Sequence, residues 1–257
     1  MLNIFLECTR DAVYLDGLRT LKLVFTSGEA LQAAHVRKFN EGPRAANRTR
    51  LINLYGPTEA TVDVTHYECP ADNVPDDIPI GKPISNTQMH ILKDGALQSH
   101  GVTGELCIAG VQLARGYLNR LELTKERFIY HNGQRMYRTG DLAAWTADGN
   151  ILYYGRMDDQ VKIRGIRIEL GEIEGVLNEY PGIESCVIDV QRPSENVVLL
   201  IAYYVSAIDI PAENMKRHLK DHLPEYMIPN FFRRLDVMPL TAHGKLNRQA
   251  LATISLK

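Results

Sequence analysis

Gly155-Arg-Met-Asp-Asp-Gln-Val-Lys-Ile-Arg-Gly-Ile-Arg-Ile-Glu-Leu-Gly-Glu-Ile-Glu174 is the stretch on which the reading of the fold turns. Val161 and Ile163 are apolar at odd positions, with Lys162 and Arg164 between them. After Gly165 the apolar set moves to even positions: Ile166, Ile168 and Leu170. A strand cannot change faces without a turn or bulge, and glycine is the residue that permits one. The segment therefore predicts a bent or hairpin element carrying Lys162, Arg164 and Arg167. Taken alone, those charges are equally those of a solvated sheet edge. The texture of the chain differs on its two sides, which places a domain boundary near Asp158.

Downstream, helical periodicity over residues 172–180 and 212–222 alternates with strand-like runs over 184–190, 197–205 and 231–235. That is a small α+β domain. Upstream, between about residues 79 and 154, short apolar stretches broken by glycines predict a mostly antiparallel β subdomain. Nearer the start, residues 21–26 read as a buried strand closed by Ser27-Gly28, 29–40 as an amphipathic helix, and 51–55 as a second strand ended by Gly56-Pro57. Strand, helix, strand in that order suggests a segment of an α/β sheet.

Bulk properties narrow the function classes. With 257 residues the chain is long enough for two domains, and a net charge of −2 gives no reason to expect nucleic acid or an acidic membrane surface as partner. No apolar run approaches the roughly 20 residues a bilayer span needs. The opening, Met1-Leu-Asn-Ile-Phe-Leu-Glu7, lacks a basic leader followed by an apolar core. Cys8, Cys69, Cys107 and Cys186 are far apart and form no CxxC, which argues against a zinc site or a disulfide framework. The expectation is a cytoplasmic protein with reduced cysteines.

Several segments give that expectation content. Asn53-Leu-Tyr-Gly-Pro-Thr-Glu59, Gly104-Glu-Leu-Cys-Ile-Ala-Gly110, Leu113-Ala-Arg-Gly-Tyr-Leu118 and Tyr137-Arg-Thr-Gly-Asp-Leu142 precede the 155–174 stretch, and Leu223-Pro-Glu-Tyr-Met-Ile-Pro229 and Gly244-Lys245 follow it. In identity, order and spacing they resemble the amino-acid adenylation domains of nonribosomal peptide synthetases, AMP-forming enzymes of the superfamily that includes acyl-CoA ligases and luciferases. The resemblance implies a partial adenylate-forming core over residues 1–157, with an α/β segment to about 75 and a β subdomain from about 76. It implies a mobile C-terminal α+β lid over 158–257, beginning at a hinge.

The implied chemistry is activation of an amino acid by ATP and Mg²⁺, then transfer to the phosphopantetheine of a peptidyl carrier protein beside neighbouring synthetase domains. By resemblance, Tyr55 (next to Gly56) and Tyr153 lie against adenine, Thr58 touches phosphate and Glu59 holds magnesium, a hard cation suited to carboxylate oxygen. Asp141, which Thr139-Gly140 would present on a tight turn, accepts from ribose hydroxyls. Arg156 matches a ribose or phosphate contact. Lys245 would stabilise charge growing on the phosphoryl oxygens, although His243 and Asn247 depart from the family's usual neighbours. Asp158 aligns with the hinge. Lys162, Gly165 and Arg167 align with the face that forms the thioester by domain rotation.

Part of the family's side-chain pocket is also present, at Phe25, Ser27, Leu54, Val62 and Asp63. Ser27 and Asp63 are polar groups in an apolar lining, which calls for a small polar substrate. The pattern looks like that of serine-activating domains, with threonine next. The family's phosphate loop, expected upstream of Leu21, is not found, and no carrier attachment site follows Lys245, so the chain reads as a fragment. Two other readings stay open: an acyl-CoA ligase, and a noncatalytic remnant that binds nucleotide or complements a separate N-terminal half.

Overall fold

By its own contacts the chain divides after Asp158, into Met1–Asp158 and Asp159–Lys257. The computed structural model describes residues 1–158, 160–163, 165–194, 197–241 and 246–254. Lys245 and Arg164 therefore lie outside the described residues.

The first unit opens with helices α1 (Leu2–Cys8) and α2 (Ala12–Gly17), the latter capped by Asp11, whose side chain accepts from the Val13 amide. Strand β1 (Leu23–Thr26) and helix α3 (Ala33–Phe39) follow, then a π-type turn Asn40–Arg44 containing Pro43, helix α4 (Ala45–Asn47) and strands β2 (Arg50–Tyr55), β3 (Thr65–Glu68) and β4 (Lys82–Pro83). β1 runs parallel to β2, and β3 and β4 add antiparallel. The strand, helix, strand order expected from the sequence is present. α3 starts later than its periodicity suggests, because Gln32 is extended and bridges Asp77. Val36, Phe39 and Leu51 are fully buried between these layers, with Leu6, Leu31 and Ile78 around them. Each such side chain contributes about 1.5–3 kcal/mol.

The β subdomain consists of β5 (Thr87–Lys93), β6 (Ala96–Leu97), β7 (Gly104–Gly110), helix α5 (Leu121–Arg127), β8 (Phe128–His131), β9 (Gln134–Trp145) and β10 (Ile151–Arg156). Its strands are ordered β10-β9-β7-β5-β6, with β8 also on β9, and every pairing is antiparallel. Every residue of β7 but Gly110 is buried. One core cluster joins Ile91, Leu106, Ile108, Tyr137 and Ile151 to Tyr55, Ala60 and Val64. The segment leaving β2 is thus fastened onto the subdomain.

The expected tight turn at Thr139-Gly140 is instead a kink inside the 12-residue β9. The register of β9 shifts against β7 around it, and Gly140 takes φ +73°. A bulge keeps the strand paired while turning one side chain aside, which a turn would not.

In the second unit β11 (Val161–Ile163) and β12 (Ile166–Ile168) form the hairpin implied by the shift of apolar parity. Val161 pairs with Ile168 and Lys162 with Arg167, and Gly165 has φ +79°. Helix α6 (Leu170–Asn178), strands β13 (Ser185–Ser194) and β14 (Val197–Val205), helix α7 (Ala212–Lys220), strand β15 (Phe231–Leu235) and helix α8 (Arg248–Ala252) complete it. β14 is central, antiparallel to β13 and parallel to β15. Its continuous apolar run follows from burial on both faces. Leu200, Ala202 and Tyr204 pack with Ile173, Leu177, Met215 and Leu219, whereas Ile201 and Tyr203 pack with Leu251. Among the described residues no helix is long and apolar enough to cross a membrane.

Candidate functional site

Strand β2 delivers Tyr55 and then breaks at Gly56-Pro57. A Cβ on Gly56 would lie 2.2 Å from the Val62 carbonyl oxygen and 2.6 Å from Asp63 Cα. Only glycine lets the two backbone segments approach so closely. The 3₁₀ turn Thr58–Ala60 leads into Thr61 and Val62, both left-handed at φ 57° and 74°. Left-handed backbone at β-branched residues is strained. It is held here by the Thr61 hydroxyl donating to the Gln112 carbonyl at 2.7 Å and by the Val64 amide donating to the Tyr55 carbonyl at 2.7 Å.

Tyr55, Tyr153, Asp141 and Arg156 meet at the end of β2. The Tyr55 hydroxyl donates to Asp141 Oδ2, and the ring centroids of Tyr55 and Tyr153 are 6.3 Å apart. Arg156 Nη1 donates to Asp141 Oδ1 at 2.8 Å and to the Thr139 carbonyl at 3.0 Å. The Arg156 Nε and Nη2 each donate to Asp158 at 2.6 Å, a bidentate pair. Asp158, expected at the opening of the second domain, is tied by this fork to the end of β10. Asp141 is buried, the carboxylate lying against two donors rather than displayed on a turn.

The electrostatics follow from this packing. Burial, followed by the adjacent Asp141 charge and hydrogen bond, holds the Tyr55 phenol well above its ordinary range. Burial and Asp141 together push Tyr153 up to about 12. Burial pulls the Arg156 pKa down, but the Asp158 hydrogen bonds and the charges of Asp141 and Asp158 outweigh it, and the net direction is up. Both tyrosines therefore stay protonated donors and Arg156 stays a cation at any working pH.

Glu59 sits half-buried where the 3₁₀ turn meets the 113–118 loop, its Oε1 accepting from the Tyr117 hydroxyl at 2.6 Å. Burial, then hydrogen bonds to Glu59 and Tyr137, raise the Tyr117 phenol far above its usual value. Among the described residues no group of three or more acidic, cysteine or histidine side chains gathers to hold a metal. A single protein carboxylate still fits magnesium, which commonly takes one or two and fills its shell with phosphate and water. Thr58 is exposed one residue before Glu59.

The pocket positions cluster differently. Phe25 pairs in register with Ile52, two residues from Leu54, so Phe25 and Leu54 share a sheet face. Phe25 and Val62 are 58% and 67% exposed. Ser27 and Asp63, expected to await a polar substrate, satisfy one another: Ser27 Oγ donates to Asp63 Oδ1 at 2.7 Å. Lys162, Gly165 and Arg167 stand together on the β11–β12 hairpin, where Arg167 Nε donates to Gln160 Oε1 at 2.8 Å. The roles assigned to Arg156, Asp158 and these hairpin residues remain those of the resemblance.

Of the motif residues given no role by the resemblance, two are tied into the site. Tyr117 is one. Glu105 is the other: buried, it accepts from Arg138 Nε at 2.8 Å and Nη2 at 2.6 Å, and from the Gly140 amide at 3.1 Å. It fixes the bulge that aims Asp141. An acid within the otherwise apolar Gly104–Gly110 strand is the available signal, since a buried charge requires partners.

The chain also matches known families and proteins. The AMP-binding enzyme family model matches residues 1–118, and the AMP-binding enzyme C-terminal domain model matches residues 172–245. Zwittermicin A synthase ZmaJ of Bacillus cereus is 48% identical over 99% of the chain, which spans 49% of that protein. Bacitracin synthase 1 of Bacillus licheniformis is 46% identical over 93% of the chain, which spans 5% of it. Among solved structures, an NRPS protein containing adenylation and PCP domains bound to a vinylsulfonamide inhibitor aligns with TM-score 0.77 and 34% identity, over 92% of this chain and 41% of that one. The Vibrio cholerae adenylation domain AlmE, in complex with glycyl-adenosine-5′-phosphate, aligns with TM-score 0.78 and 29% identity, over 91% and 44%. The chain thus spans less than half of each of these relatives. With two successive family models in chain order and the motif side chains gathered at the end of β2, the chain belongs to the AMP-binding enzyme family, in its nonribosomal peptide synthetase adenylation branch.

Proposed function

We propose that the chain contributes the adenosine side of a site that activates an amino acid, serine by preference, as aminoacyl-AMP with release of pyrophosphate. The aminoacyl group then passes to the phosphopantetheine thiol of a carrier protein. The observation that carries the reading is the convergence of Tyr55, Tyr153, Asp141 and Arg156 at one point, with Glu59 at the far end of the same loop. Two aromatic side chains at that point suit a purine. A buried carboxylate suits a ribose diol, whose hydroxyls would share or displace the donors now on Asp141.

In the reaction a substrate carboxylate oxygen attacks the α-phosphorus and the bond to pyrophosphate breaks. Thr58 would donate to phosphate oxygens, and Glu59 would hold magnesium. When bound, that ion supplies charge neutralisation on the phosphates. Lys245, by resemblance, adds a cation at the α-phosphate. Asp63, kept in place by the Ser27 hydroxyl, would accept a hydrogen bond from the hydroxyl of a serine side chain, and Phe25, Leu54 and Val62 would line the remainder. Thioester formation would follow rotation about Asp158, bringing the Lys162, Gly165 and Arg167 face to the carrier's thiol. Asp158→Pro is then expected to impair thioester formation more than adenylation, measured as separate half-reactions; equal losses would contradict a pivot there.

ATP–pyrophosphate exchange across the common amino acids tests the reading. Exchange led by serine, by the chain alone or after addition of a separately purified upstream half of an adenylation domain, is the expected result. Exchange led by a large apolar amino acid would overturn the serine assignment. Activation of a fatty acid in preference to any amino acid would favour the acyl-CoA ligase reading.

A further inference from the structure

The 113–118 loop is built into the site more firmly than a connecting loop requires. The Ala114 amide donates to the Glu59 carbonyl at 2.8 Å, and Arg135 Nη1 and Nη2 donate to the carbonyls of Ala114 and Arg115 at 2.9 Å each. The Tyr117 amide donates to Thr124 Oγ1 at 2.9 Å. Its ring stands edge-on to Phe128 at 5.8 Å, and Phe128 lies 5.0 Å from the fully buried Tyr137. These contacts leave the Tyr117 hydroxyl one place to be. It donates to Glu59 Oε1 at 2.6 Å, with the Tyr137 hydroxyl 3.4 Å behind it. A carboxylate only accepts, so the single Tyr117 proton is committed to Glu59, and the Tyr117 oxygen is the acceptor for Tyr137.

We infer that Tyr117, backed by Tyr137, is a positioning residue for the magnesium-bound nucleotide: its hydroxyl fixes the Glu59 carboxylate so that one oxygen is directed at the metal. The inference rests on the reading of Glu59 as the magnesium ligand. Its physical basis is general. Outer groups that hydrogen-bond a ligating side chain set its orientation, and removing one costs about 10–100-fold in metal affinity.

The test uses the purified chain, Mn²⁺ as a paramagnetic stand-in for Mg²⁺, and α,β-methylene-ATP, with free Mn²⁺ followed by electron paramagnetic resonance. Tyr117→Phe keeps the ring packing and removes only the hydroxyl. It is expected to weaken nucleotide-dependent Mn²⁺ binding about tenfold or more, and to add no further loss in a Glu59→Gln background, since the hydroxyl acts through that carboxylate. Unchanged binding in Tyr117→Phe would overturn the inference. An equal loss in both backgrounds would also overturn it, because a general packing defect is additive. So would a larger loss in Tyr137→Phe than in Tyr117→Phe. If the unaltered chain binds no Mn²⁺ with the nucleotide analogue, the reading of Glu59 as ligand fails first, and the inference falls with it.

Discussion

The two ends of the candidate site are built differently, although one loop joins them. At the adenosine end Asp141 and Arg156 are buried or nearly so, and every contact among Tyr55, Asp141, Arg156 and Asp158 is charge-assisted. At the side-chain end Phe25 and Val62 are exposed and one hydrogen bond, Ser27 to Asp63, joins the polar pair. The part that would bind what all substrates share is set by the fold itself. The part that would discriminate among amino acids rests on a strand edge and a strained turn, where substitutions disturb little else. On the proposed function, recognition of the common nucleotide and choice of the variable side chain would thus be separable in this molecule.

Asp141→Ala should have the largest effect, at the adenosine end. It removes the buried acceptor shared by Arg156 and the Tyr55 hydroxyl; because Arg156 keeps its fork to Asp158, the expected cost is about 3 kcal/mol, the low end for breaking a buried pair. Urea unfolding should register that loss, and a change below about 1 kcal/mol would show that the pair is not structural. Gly56→Ala comes next. The added Cβ would stand 2.2 Å from the Val62 carbonyl, so the two backbone segments must separate, at about 1–3 kcal/mol by the same measurement. Because that approach joins the two ends, this variant alone should disturb both nucleotide binding and amino-acid choice.

Ser27→Ala should barely change stability, within about 0.5 kcal/mol as for other exposed positions. Its effect should appear in selectivity. Loss of a hydrogen bond to a charged group should lower serine-dependent exchange roughly tenfold, leaving AMP binding intact. The smallest expected effect is a lack of reaction. Cys107 is fully buried on β7, beside the strand that carries Asp141, and burial followed by the neighbouring Glu105 charge pushes its thiol up to about 12. Iodoacetamide at pH 8 should modify the exposed Cys8 and spare Cys107 until denaturant is added. Rapid loss of the Cys107 thiol in the native chain would mean that the sheet beneath the adenosine end opens readily.

How far the sequence reveals this depends on what each residue's neighbours are. Val197–Val205 is bounded correctly because it is a continuous apolar run, and Phe231–Leu235 has the expected bounds although Arg233 and Arg234 interrupt its apolar residues. The parity shift across Gly165 reveals the β11–β12 hairpin for the same local reason. The bulge at Gly140 is not legible. Thr-Gly-Asp reads as a turn when taken alone, and what keeps it in a strand is Glu105, 35 residues away, gripping the Gly140 amide. The late start of α3 has the same origin, since Gln32 is held extended by pairing with Asp77. Motif resemblance singles out the residues of the adenosine cluster, but not that Tyr55 and Arg156 already occupy Asp141. Nor does it indicate that Tyr117 holds Glu59. Those contacts join residues 86, 15 and 58 positions apart, beyond the reach of any periodicity.

Calorimetric titration of AMP into the chain and into its Asp141→Ala and Ser27→Ala variants, with folding of each checked by circular dichroism, tests most directly whether the two ends act separately. The chain and Ser27→Ala are expected to bind AMP alike, and folded Asp141→Ala is expected not to bind it measurably. Equal binding by folded Asp141→Ala, or loss of AMP binding in Ser27→Ala, would contradict the separation of the two ends.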